Sequence, residues 1–66
     1  MTFPYLMTAM AEYHRAHPGQ RLGQAYFNGL HEVYPELADA IRGTYADPFH
    51  DDDALADFLY EVAAQA

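Results

Sequence analysis

The stretch Gln20-Arg21-Leu22-Gly23-Gln24-Ala25-Tyr26-Phe27-Asn28-Gly29-Leu30-His31-Glu32-Val33-Tyr34 decides how the rest of the chain is read. Leu22, Tyr26, Leu30 and Val33, followed by Leu37, recur at the spacing of an α-helix with one buried face. The same period appears on both sides. Phe3, Leu6, Met7, Met10 and Tyr13 predict a helix from about Phe3 to His17. Thr2 can cap that helix, Pro4 suits its first turn, and Pro18-Gly19 ends it. Pro35 restarts the chain into a short helix reaching about Arg42, with Leu37, Ala38 and Ile41 inward and Gly43-Thr44 as the stop. Tyr45-Ala46-Asp47-Pro48-Phe49-His50 reads as a loop, because Asp-Pro favours a turn. A last helix is expected to start near Asp51 or Asp52 and run to about Ala64, burying Leu55, Phe58, Leu59 and Val62. Aspartates suit its start, where free N–H groups and the positive end of the helix dipole favour a carboxylate. No segment alternates with a period of two, and no repeat or linker interrupts the chain. The expected fold is all-α: one domain over residues 1–66, a compact three- to four-helix bundle.

Two glycines, Gly23 and Gly29, fall inside the second helix. Each costs up to ~1 kcal/mol relative to alanine there. Close helix–helix contact is the simplest reason to place them, and a functional approach to the backbone is the other.

Arg21-Leu22-Gly23-Gln24-Ala25-Tyr26-Phe27-Asn28 resembles a pattern found in small, mostly uncharacterised proteins of bacteriophages and bacteria. Those proteins carry Arg-(Leu or Ile)-Gly-Gln and an asparagine four residues after the glutamine. A later Asp-x-Phe step then leads into an acidic final helix, here Asp47-Pro48-Phe49-His50-Asp51. The resemblance covers roughly residues 20–60 and implies a small accessory protein of phage or mobile-element origin, with no assigned activity. The first predicted helix lies outside the pattern. Independently of it, Arg21, Gln24 and Asn28 are spaced to share one helix face. We expect a polar clasp in which Arg21 reaches a carboxylate of the Asp47–Asp51 turn while Gln24 and Asn28 satisfy its backbone. A partner-binding role for Arg21 is the alternative.

Charge separates the chain into two halves. Residues 1–34 balance Glu12 and Glu32 against Arg15 and Arg21. Residues 35–66 hold eight carboxylates and only Arg42, and so carry the entire formal charge of -7. Lysine is absent, and three scattered arginines cannot neutralise a phosphate backbone, so direct nucleic-acid binding is not expected. Asp53, Asp57 and Glu61 recur every four residues and form a negative line along the last helix. Such a line either solvates the protein or steers it to a basic partner. Six tyrosines and four phenylalanines exceed what one small core easily buries. Tyrosine buries area while keeping a polar tip, so a contact patch drawn from Tyr5, Phe27, Tyr45 and Tyr60 is expected.

Other chemistry is poorly supplied. The chain has no cysteine and no serine, which excludes disulfides, thiolate metal sites and the usual Ser/His/Asp and Cys/His nucleophile arrangements. No phosphate-cradling glycine loop occurs. His14 and His17, with His31 or His50, are weak candidates for an imidazole metal site, because His17 simply favours a helix end. A calcium loop of the EF-hand type fails in both registers: from Asp47 the third position is Phe49, and from Asp51 the sixth is Ala56 where glycine is needed. We therefore expect no catalytic residue, no cofactor and no metal. With no apolar run of membrane-spanning length, no basic leader in Met1–Met7 and no cysteine, a cytoplasmic protein is expected. The function expected is a small acidic protein-interaction module, of the kind phages use as accessory proteins or inhibitors of a host protein. The alternatives are a nucleic-acid mimic that blocks a DNA- or RNA-binding enzyme, and a self-associating structural module such as a homodimer. Mimicry fits the spacing poorly: carboxylates every four helical residues are about 6 Å apart, whereas duplex DNA carries a charge about every 1.7 Å.

Overall fold

The computed structural model describes Met1–Ala66. Helix α1 spans Phe3–Ala16, α2 Leu22–Val33 and α3 Pro35–Ile41, and a single 3-10 turn at Asp52–Ala54 runs into α4, Leu55–Gln65. The protein is all-α, with four helices and no strand, as the periodicity predicts. No helix is long and apolar enough to cross a membrane.

Each boundary has a local cause. Thr2 caps α1, its hydroxyl accepting from the Tyr5 N–H at 3.4 Å, and Pro4 stands in the first turn, where its missing N–H costs no helical hydrogen bond. The α1 helix stops one residue short of the expected His17. There the imidazole Nδ1 lies 2.8 Å from the Tyr13 carbonyl oxygen, and its ring stacks on that of Tyr13 with centroids 3.8 Å apart. The α2 helix begins later than expected because Arg21 is its extended N-cap, with φ -65° and ψ 159°. The Arg21 N–H donates to the Gln24 side-chain oxygen at 3.4 Å. Tyr34 separates α2 from α3 and Pro35 opens α3. Gly43, at φ +75°, adopts the left-handed conformation that ends α3, where a side chain would be strained. Asp51 caps the 3-10 turn by accepting from the Asp53 N–H at 2.9 Å.

The core is one cluster. Leu6 and Met10 of α1, Phe27 and Leu30 of α2, Leu37 and Ile41 of α3, and Phe58 and Val62 of α4 are all buried. Full burial of such side chains contributes roughly 1.5–3 kcal/mol each. No polar or charged residue is buried and no buried polar side-chain atom lacks a partner. Within the last helix Phe58 and Val62 are buried as expected, while Leu55 and Leu59 are half-buried against the core. One assignment is reversed in α2. Leu22, expected inward, is 39% exposed, whereas Phe27 is 2% exposed. The buried line of α2 runs through Gly23, Phe27 and Leu30, one position round the helix from Leu22 and Tyr26. The buried arc of α2 is also wider than one stripe, because the helix packs against α1, α3 and the 3-10 turn together.

The two helical glycines mark two different contacts. A Cβ on Gly29 would lie 2.9 Å from both the Met10 Cα and the Tyr13 Cβ, so this glycine lets α1 and α2 approach closely, as expected. A Cβ on Gly23 would collide with the Pro48 carbonyl oxygen. That contact is helix to loop, not helix to helix.

Candidate interaction surface

The acidic residues and exposed tyrosines meet on α4. Asp57 and Glu61 are one helical turn apart, with Asp57 exposed and Glu61 half-buried. Asp53 is exposed but belongs to the 3-10 turn, so the four-residue repeat has true α-helical spacing only from Asp57 onward. Tyr60 is 71% exposed beside them. Tyr45, from the loop after α3, is 70% exposed yet positioned: its hydroxyl donates to Glu61 Oε2 at 2.7 Å. The other Glu61 oxygen accepts from the Gln65 amide at 3.1 Å. The Glu61 hydrogen bond raises the Tyr45 phenol above its usual range, and lesser contributions come from partial desolvation and the nearby charges of Glu61 and Asp57. Two tyrosine rings and two carboxylates thus share one surface.

The remaining members of the expected patch lie elsewhere. Phe27 is in the core, where its ring packs edge-on against Phe49 and tilted against Phe58. It offers no surface to a partner. Its outer side is covered by the Arg42 guanidinium, 5.3 Å from the ring centre. Tyr5 is 53% exposed but lines a separate groove between α1 and α2.

The clasp between α2 and the acidic turn exists, with different members. The Arg21 guanidinium donates to the Phe49 carbonyl oxygen and not to a carboxylate. The Gly23 N–H donates to Asp52 Oδ1 at 2.9 Å. Gln24 is occupied at the helix start, and Asn28 donates to the Gln20 side chain at 3.0 Å, so neither reaches the turn. Asp47 does not meet Arg21. It braces its own loop, accepting from Gly43 N–H at 2.7 Å and Phe49 N–H at 2.9 Å. The physical reason is the backbone of Arg21: an extended N-cap does not obey the spacing that puts helical residues on one face. Sequence reasoning missed Asp52 and the role of Gly23. The one available signal was a glycine early in α2, which a close approach to its free N–H would require.

The four histidines stand in separate surroundings. His17 stacks on Tyr13, His14 lies 5.8 Å from the Tyr26 ring, His31 faces Asp39 at 3.7 Å, and His50 packs against Phe49. No group of three or more His, Cys, Asp or Glu side chains is placed to hold a metal ion. No protein-family profile matches the chain, and no curated protein or solved structure is significantly similar to it.

Proposed function

We propose that this protein is a protein-binding module that presents the α4 surface, Asp57, Glu61, Tyr45 and Tyr60, to a partner with a basic face. The observation that carries the reading is the Tyr45–Glu61 hydrogen bond. It holds an otherwise solvent-exposed aromatic side chain in one orientation beside a carboxylate. Fixing a side chain before association lowers the ordering cost of binding. Exposed tyrosines supply contact area, and the surrounding negative charge accelerates encounter with a cationic surface. The resemblance of Arg21–Asn28 to phage and bacterial accessory proteins supports a setting in which the bound protein is a host factor that the module inhibits. A net charge of -7 also favours a heterologous basic partner over self-association through this surface.

The test is affinity capture from the native host with the wild-type chain and two variants, Tyr45→Ala/Tyr60→Ala and Asp57→Asn/Glu61→Gln. The tyrosine pair should lose the captured protein at all salt concentrations, and the charge pair should slow its association chiefly at low salt. Equal capture by all three chains would remove α4 as the contact surface. Displacement of the partner by duplex DNA, with a steep loss on adding salt, would indicate nucleic-acid mimicry instead.

A further inference from the structure

The α1–α2 groove has a chemistry of its own, apart from α4. It holds a volume of about 370 Å³, within the range of small ligand sites. Its lining includes Ala9 and Gly29, the rings of Tyr5, Tyr13 and His17, and the carboxylates of Glu12 on α1 and Glu32 on α2. The close approach at Gly29 brings the two glutamates, from different helices, to the same groove. Both are exposed, and neither makes a hydrogen bond or ion pair within the chain. The half of the chain that contains them is neutral only because Arg15 and Arg21 offset them, and neither arginine lines the groove. Arg21 is committed to the Phe49 carbonyl. A neutral half therefore separates its charges, and every carboxylate it owns faces one aromatic-walled groove.

We propose that this groove receives an arginine side chain presented by a partner protein. A guanidinium is planar, stacks on tyrosine rings and donates in a fork to carboxylates. It leaves a methylene stem that the small apolar residues of the lining, Ala9 among them, can cover. An ammonium matches the charge but not the stacking, so arginine is favoured over lysine. His17 also lines the groove and already covers one face of the Tyr13 ring, so stacking of the guanidinium falls to Tyr5, which is 53% exposed. The site is independent of the α4 surface and stands or falls separately from it.

The experiment is an amide-resolved NMR titration of the full chain with N-acetyl-arginine amide and, separately, N-acetyl-lysine amide. Arginine should produce saturable shifts at the amides of Ala9, Glu12, Tyr13, Gly29 and Glu32, with about fivefold tighter binding than lysine. The Glu12→Gln/Glu32→Gln chain should keep its helical spectrum, since both side chains are exposed, and lose the shifts. Tyr5→Leu should weaken binding severalfold while leaving the carboxylates in place. The Asp57→Asn/Glu61→Gln chain should bind arginine as wild type does. Absence of saturable groove shifts up to about 50 mM, well beyond the millimolar affinity of a single weak site, would overturn the proposal. So would shifts confined to α4, or shifts that persist in the double glutamine chain.

Discussion

Gly23 does two things that no other residue type could do at once. Its N–H reaches Asp52 Oδ1, and its missing Cβ leaves room for the Pro48 carbonyl. Alanine there gains up to ~1 kcal/mol of helix propensity, but the loop must move away, and forced repacking costs typically ~1–3 kcal/mol. Gly23→Ala should therefore lower the melting temperature by several degrees, at roughly 4–8 °C per kcal/mol for a domain of this size. Gly19→Ala is the control. A Cβ there meets nothing within 4 Å and the backbone is not in the left-handed region, so thermal stability should hold or rise slightly. A melt in which both changes behave alike would refute the role given to Gly23. At Tyr45 the informative variable is pH. The raised phenol favours the protonated form in the folded state. The stability it contributes is therefore complete below the usual tyrosine range and is lost as pH rises through the higher folded value. Phenolate absorbance should show Tyr45 ionising above the usual tyrosine range, and Glu61→Ala should remove that late phase.

Among the elements, the four helices were legible from apolar spacing because each buries a stripe large enough to set a period. Their ends were less legible. A cap is a local hydrogen bond, and the sequence does not say that Arg21 would be extended while Gln24 closes on it. The start of α4 shows the same difficulty: Asp51 caps a 3-10 turn, and the α-helix follows only at Leu55. The junction between α2 and this turn rests on two bonds, Gly23 to Asp52 and Arg21 to Phe49. Asp52→Ala leaves the Gly23 N–H in a buried backbone position without its partner, which should cost ~1–3 kcal/mol. Arg21→Ala should cost less, because that side chain is exposed and a water can serve the Phe49 carbonyl. Urea denaturation of the two chains checks the ranking, and a larger loss for Arg21→Ala would reverse it.

At the scale of the whole molecule, the division of charge was fully legible and the division of surface was not. Counting carboxylates assigns the negative charge to residues 35–66 whatever the fold. Counting aromatics could not decide which of Tyr5, Phe27, Tyr45 and Tyr60 share a face. That depends on how α1 and the loop after α3 sit against α4, and on which residue of α2 the core claims. The outcome is two surfaces: Tyr45 and Tyr60 with the α4 acids, and Tyr5 with Glu12 and Glu32. Their different charge density sets an expectation for any complex. Contact through α4 should be salt-sensitive in its association rate, because its charges act over a Debye length of about 10 Å at 0.1 M salt.

The α2–turn junction also bears on the order in which the molecule assembles. The α1–α2 pair closes across a turn of a few residues, a cheap loop in entropy. The bonds from Arg21 and Gly23 join positions 28 and 29 residues apart, so their closure must wait for the intervening chain to be organised. Loss of these two bonds would loosen the acidic turn, but release of α4 itself is tied to opening of the whole bundle, because Phe58 and Val62 belong to the one core cluster. A chain still being made lacks the Tyr45–Glu61 arrangement, whose two members come from the loop after α3 and from α4. The α4 surface would thereby report completed folding, and a partner that reads it would ignore chains still being made.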